Sequence, residues 1–178
     1  FGYRGTSIDS IAEQLHVTKP FIYYHFTNKA EILANVCGRT TAIVADFAEA
    51  AAAETGSPRE RLRRLVHELT LRVIKGRVYL AVYFREERHL PASAYKKLAD
   101  NRKRFDRALS KVLQDGVEAD EFELRSIPVA TQAITGMTTW LFNWYRPGGK
   151  FGAEQIADEM TALVLAMVER RPRPASQN

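Results

Sequence analysis

The chain has 178 residues, 46% of them hydrophobic and 26% charged, with a formal net charge of +5; this suits one or two small soluble domains with ample core. No run approaches the roughly 18 uncharged apolar residues of a membrane span, because Asp46 and Glu49 interrupt the most alanine-rich stretch, Ala42 to Ala53. Cys37 is the one cysteine and Phe1-Gly2-Tyr3-Arg4 has no basic-then-apolar pattern, so neither an internal disulfide nor a signal or transit peptide is expected, and the cytoplasm is the expected compartment.

Strand signals are nearly absent, while helix signals recur with their punctuation. Helices are expected at about 7–15, 19–25, 28–53, 58–74, 77–89, 93–116, 126–145 and 153–170, which makes the chain all-α. Thr6 with Asp9 and Asn28 with Glu31 resemble capping boxes, and Ser57-Pro58-Arg59-Glu60 places proline at a first helical position. Gly116 and the Pro147-Gly148-Gly149 run read as helix stops. The first helices are short and joined by His16-Val17-Thr18, whereas later ones are longer with broad apolar faces. A small head over 1–40, a larger body over 41–170 and a disordered proline-rich tail over 171–178 are therefore expected.

In the head, Ile8, Ile11, Ala12 and Leu15 make one apolar face, with Val17 expected beneath it. Thr18 offers a hydroxyl N-cap and Pro20 falls in the first turn, where its missing N–H costs little. Two short helices across a three-residue turn form a helix-turn-helix, whose second helix can enter a major groove. Thr18 and Lys19 stand at its N-terminus, Tyr23, Tyr24 and His25 add polar groups on aromatic bodies, and Ile22 and Phe26 are expected to face the core. An ordinary helical hairpin with packed aromatics satisfies the same spacing.

The run Gly5-Thr6-Ser7-Ile8, Ile11-Ala12-Glu13, Val17-Thr18-Lys19-Pro20, Tyr23-Tyr24-His25-Phe26 and Asn28-Lys29 resembles the DNA-binding signature of the TetR family of bacterial transcriptional regulators. The resemblance implies a homodimeric repressor with two heads on palindromic double-stranded operator DNA, and a body that binds a small effector and so weakens DNA binding. It implies DNA contacts by Thr18, Lys19, Tyr23, Tyr24, His25 and Lys29, with Tyr24 and Lys29 on phosphates. The family pattern also has a further helix ahead of this motif, of which Phe1-Gly2-Tyr3 would be the last turn.

The charge lies elsewhere. Residues 1–40 carry 4 basic and 3 acidic side chains, whereas 59–111 carry 16 basic and 6 acidic. The excess concentrates in Arg59-Glu60-Arg61-Leu62-Arg63-Arg64 and Arg102-Lys103-Arg104-Phe105-Asp106-Arg107, which read either as solvated helix faces or as an anion site. Ile134, Met137, Leu141, Trp144 and Tyr145 mark an apolar surface further on, and an apolar cavity near arginines suits an amphiphile with an acidic end. The segment from Thr138 to Gly149 is similar to TetR-type regulators of fatty-acid, sterol and aromatic-acid catabolism, which implies an acyl-CoA thioester as effector. Trp140, Trp144 and Arg146 are candidates by that resemblance, although some relatives have arginine where this chain has Gly136. Tyr79, Tyr83, Phe84, Arg102 and Phe105 are candidates by chemistry and helical spacing.

The last two helices have a competing use. Ala130, Ala133 and Gly136, with Ile156, Met160, Leu163, Val164 and Met167, could pair with a second copy as a four-helix bundle. His67-Glu68 lacks the second histidine of a zinc-protease motif because Leu71 stands there, and Gly149-Lys150 is followed by Phe151, not the Ser or Thr of a P-loop. No catalytic residue, metal ligand, cofactor, enzyme activity or membrane partner is expected. A helical small-molecule carrier without DNA binding is the alternative function.

Overall fold

The computed structural model describes residues 2–170, and the tail expected at 171–178 lies outside the described residues. Ten α-helices follow in order among them: α1 (Gly2–Gly5), α2 (Ile8–Gln14), α3 (Lys19–His25), α4 (Lys29–Ala53), α5 (Pro58–Lys75), α6 (Arg77–Glu86), α7 (Ala92–Glu118), α8 (Ile127–Thr139), α9 (Leu141–Trp144) and α10 (Ala153–Val168). A single 3₁₀ turn, Glu87–His89, follows α6. The all-α expectation holds, and the only β pairing among the described residues is an isolated bridge between Phe122 and Glu169. None of these helices is long and apolar enough to cross a membrane.

The starts are built from side-chain caps. Thr18 accepts from Phe21 N, Asn28 from Glu31 N and Ser57 from Glu60 N, each satisfying a donor that the first helical turn leaves without a partner. The first cap differs from expectation. Ser7 with Ser10 forms the capping box of α2, because the Thr6 hydroxyl is spent on Gly2 O at 2.8 Å, closing α1.

Helix α4 belongs to both parts of the molecule, starting beside the helix-turn-helix head and ending deep in the body. Its second half buries Ala45, Ala48, Ala51 and Ala52, small side chains that let α7 lie close along it. Leu62, Leu65, Val66, Leu69 and Val73 of α5 meet Leu109, Val112 and Leu113 of α7 in the main core. Against α5, α10 buries Ile156, Met160 and Val164 but leaves Leu163 at 57% and Met167 at 44% exposure, so the stripe read from sequence splits between core and surface.

Two stops also fall elsewhere. Gly116 lies inside α7, which runs on to Glu118; a Cβ there would meet Phe122 Cδ2 at 1.9 Å, so glycine serves packing at this position, not termination. The helix expected over 126–145 breaks at Trp140. Just before the break the Thr138 hydroxyl donates to Ile134 O at 2.8 Å, a back-bond that bends helices and that periodicity does not register.

Much of the basic charge is consumed inside the body. Arg61, 7% exposed, donates to Ala52 O and to Asp115 Oδ2, both at 2.9 Å. Arg104 grips Asp46 and Glu49 of α4 at 2.6 and 2.5 Å, and Arg59 and Arg64 pair with Glu169 and Glu54. These arginines act as interhelical clamps.

Candidate DNA-reading head and effector cavity

The turn between α2 and α3 is closed by backbone bonds, Leu15 N to Ile11 O at 3.0 Å and Val17 N to Ala12 O at 3.0 Å, with His16 in the left-handed region at φ 55°. Ala12 and Ile22 are buried where the two helices meet, Phe26 is half-buried, and Val17 is half-buried, not covered as expected. Leu15 departs most from expectation. It caps the end of α2 and is 62% exposed, so it stays outside the core of the head.

The six expected DNA contacts fall into two groups. Tyr24 is 85% exposed and Tyr23 48%, while Lys19, also exposed, holds Asp9 at 2.9 Å. That bond, and then the nearby carboxylate charge, raises the Lys19 ammonium above its ordinary pKa. His25 stands edge-on to both Phe21 and Tyr24, with ring centroids at 5.0 Å in each pair, which fixes the outward aromatic row. Thr18 caps the helix. Phe21, 52% exposed, joins this surface although sequence reasoning did not single it out; its place in the first turn after the cap was the available signal.

Lys29 is different. Its Nζ donates to Tyr3 O and Thr6 O, each at 2.7 Å, and lies 4.4 Å from the Tyr3 ring centroid, so it ties α1 to the start of α4. The body takes up this tie from the other side. Glu86, 8% exposed at the end of α6, accepts from Tyr3 N at 3.0 Å and lies 3.2 Å from His89 Nδ1, while the His89 ring stacks on Tyr3 at 4.9 Å.

Below the head, α4 to α8 line a half-open cavity of about 300 Å³. Val44, Leu69, Val73, Leu80 and Phe105 supply apolar wall, and Thr41, Asn101, Arg102 and Thr135 supply polar atoms. Of the expected ligand residues, Tyr83, Phe84, Arg102 and Phe105 line it, whereas Tyr79, Trp140, Trp144 and Arg146 do not. Trp140 reaches it only through an aromatic chain, edge-on to Phe142 at 5.7 Å, with Phe142 stacked on Phe84 at 4.9 Å. Arg146 donates to Asn143 O and Tyr145 O at 2.9 and 3.1 Å, capping α9. Gly136 is a wall residue where an added Cβ would meet nothing within 4 Å, so its lack of a side chain widens the space.

Sequence reasoning missed Thr40, Thr41, Asn101, Gln132, Thr135, Thr139 and Arg72, which also line the cavity. Gln132, Thr135, Gly136 and Thr139 form an i, i+3, i+4, i+7 face of α8, the one available signal, but a polar face usually means solvent. Arg72 is held by Glu68 and stacks on Phe47 at 3.9 Å. Arg102 lies 5.7 Å from the Tyr83 ring and enters no salt bridge among the described residues, so it is the cavity's available cation.

Residues 1–36 match the family model described as bacterial regulatory proteins, tetR family, and residues 55–168 match that of the tetracyclin repressor-like C-terminal domain. The HTH-type transcriptional repressor KstR2 of Mycobacterium tuberculosis is 24% identical over 172 residues, covering 95% of this chain and 86% of the relative. Among solved structures, the TetR family regulator PfmR of Thermus thermophilus aligns with a TM-score of 0.86 at 27% identity, covering 94% of this chain and 92% of PfmR. AibR, solved in complex with isovaleryl coenzyme A and operator DNA, aligns with a TM-score of 0.78 at 23% identity over 90% of this chain and 88% of AibR. With both halves matched, the helix-turn-helix and the helical body alike, the chain belongs to the TetR family of bacterial transcriptional regulators.

Proposed function

We propose that this regulator is a repressor that binds palindromic operator DNA as a homodimer and is released by an effector held in the body cavity, with an acyl-CoA thioester as the effector class. The observation that carries the reading is the division of labour along α4: an exposed aromatic and basic row on α3 beside its start, and a largely apolar cavity of about 300 Å³ against its middle. Thr18, Lys19, Tyr23 and His25 would read the major groove while Tyr24 takes a phosphate, and the one remaining N–H of the Lys29 ammonium would take another.

Dimerisation is assigned to α8 and α10. Val129 and Trp140 at 68% and 57% exposure, with Leu163 and Met167, leave an apolar surface on these two helices that a second copy would cover. The acyl group would enter the cavity, with the nucleotide outside and Arg102 meeting anionic or carbonyl oxygen. KstR2 is named a repressor and AibR was solved with isovaleryl coenzyme A, which supports both halves of the proposal.

The test is fluorescence anisotropy with DNA from around the protein's own gene. At low salt the wild type is expected to bind a palindromic site whose half-sites lie about 34–36 Å apart. Tyr24→Ala is expected to weaken binding to every sequence, and Lys19→Ala to alter sequence preference. An acyl-CoA series is expected to release the DNA, with DNA weakening acyl-CoA binding by the same factor. No shifted DNA at low salt refutes the repressor, and acyl-CoA affinity indifferent to DNA points to a carrier.

A further inference from the structure

The first turn of α3 presents to solvent an apolar ring that the fold itself does not use. Phe21 is 52% exposed and packs into neither hydrophobic core, while its neighbour Ile22 is 5% exposed. The ring is nevertheless held in one place. Phe21 N donates to Thr18 O at 3.1 Å and to the Thr18 hydroxyl at 3.4 Å, and the His25 ring stands edge-on to the phenyl at 5.0 Å. Pro20, just before it, is exposed as well and has no N–H to offer. The N-terminal end of α3 therefore carries an apolar corner beside its polar groups.

A single exposed aromatic is ordinary on a protein surface, but the first turn of a recognition helix is where base edges are read. A phenyl ring has neither a polar donor nor an acceptor, so a phosphate oxygen or the polar edge of a base gives it nothing. The major groove offers it one apolar group, the C5 methyl of thymine. We propose that Phe21 is a specificity-determining residue of the operator contact, packing its ring on the methyl group of one thymine in each half-site. This rests on the reading that α3 enters the major groove. Preference at that base pair then comes from burying a methyl group and not from hydrogen bonding. Uracil, which keeps every hydrogen-bonding group of thymine and lacks only the methyl, is the matched probe. One buried methyl is worth about fourfold in affinity, and the loss of one from each half-site roughly fifteenfold.

The experiment starts from a duplex that the wild-type protein selects from a random-sequence library. It is resynthesised with each symmetric pair of thymines replaced in turn by deoxyuridine, and affinities are read by fluorescence anisotropy for the wild type, Phe21→Ala and Phe21→Leu. At one thymine pair, uracil is expected to weaken the wild type by about fifteenfold. Phe21→Ala is expected to bind the thymine duplex more weakly and to be indifferent to uracil at that pair alone, a coupling that general damage to the helix would not produce. Phe21→Leu, which keeps apolar bulk, is expected to retain part of the uracil penalty.

Because the ring is half-exposed, both variants are expected to melt with the wild type. Selection of no duplex refutes the DNA-binding reading and the Phe21 assignment with it. A selected duplex with no uracil-sensitive thymine, a uracil penalty that survives Phe21→Ala, or a Phe21→Ala variant that melts well below the wild type overturns the Phe21 assignment and leaves the repressor standing.

Discussion

Replacing Gly116 with alanine sets two principles against each other. Helix propensity favours alanine over glycine inside a helix by about 1 kcal/mol. Packing opposes it: the added Cβ would stand 1.9, 2.2 and 2.6 Å from three ring carbons of Phe122, where apolar carbons rest at about 3.5–4.0 Å. The ring must therefore move by roughly 1.5–2 Å, and it has little freedom to do so. Phe122 N donates to Gly116 O at 3.0 Å, the next residue's N donates to Val168 O at 2.9 Å, and the ring is only 3% exposed. Overpacking costs about 1–3 kcal/mol, and expelling a buried phenylalanine about 3–5, so the net expectation is a loss of about 2–3 kcal/mol. For a chain of this size that lowers the melting temperature by about 5–10 °C, measured by thermal circular dichroism. In a Phe122→Ala background the same change is expected to be neutral or stabilising by about 1 kcal/mol. A Gly116→Ala single variant melting at or above the wild type refutes the reasoning.

Two further predictions concern buried titratable groups. Burial opposes ionisation of Asp115, but hydrogen bonds from Lys111 and Arg61 outweigh it and hold the carboxyl below its ordinary value near 3.8; a lowered folded-state pKa gives stability that is present above pH ~4 and is lost as the pH falls through the folded value. Asp115→Asn is expected to be less stable at pH 7, by on the order of 2 kcal/mol, and the gap between the two proteins is expected to narrow progressively as the pH falls below the ordinary carboxyl value near 3.8; a gap independent of pH contradicts the assignment. Cys37 is 1% exposed and its thiol is pushed up to about 11 by burial, so a thiol-disulfide reagent at pH 8 is expected to label it only in denaturant, and labelling of the native protein within mixing time would count against its burial.

The head was the most legible part of the chain because its constraints are local. Thr18, Pro20 and Asn28 act within one turn of where they stand, so their caps follow from spacing alone. Half of the ligand candidates were legible for a similar reason: Tyr83, Phe84, Arg102 and Phe105 recur at helical spacing on faces that meet. Three of the other four depended on a break that helical periodicity does not register, while Tyr79 stands on a face of α6 that the cavity does not reach. With 126–145 read as one helix, Trp140, Trp144 and Arg146 would continue the cavity-facing side of α8; the bend at Thr138 and Trp140 carries them outward. Gly116 was misread because its reason is a ring six residues away in another segment. The basic runs looked like one anion site because sequence shows charge and not partners, and Arg61, Arg64 and Arg104 are each already paired across helices.

Helix α6 touches both ends of the regulatory problem within a single turn. Tyr83 and Phe84 stand on the cavity wall, and Glu86 holds the first residues of the head through Tyr3. A signal relayed through that contact cannot exceed what the contact is worth, and a hydrogen bond to a charged group contributes about 1.5–3 kcal/mol. An effector that broke it completely, and acted nowhere else, would change operator affinity by a factor of about 10 to 150. Under the proposed function, that joint acting alone would cap the switching ratio and leave a floor of residual repression at saturating effector. A larger ratio would have to draw on α4, which carries Lys29 at the head and Thr40, Thr41 and Val44 at the cavity.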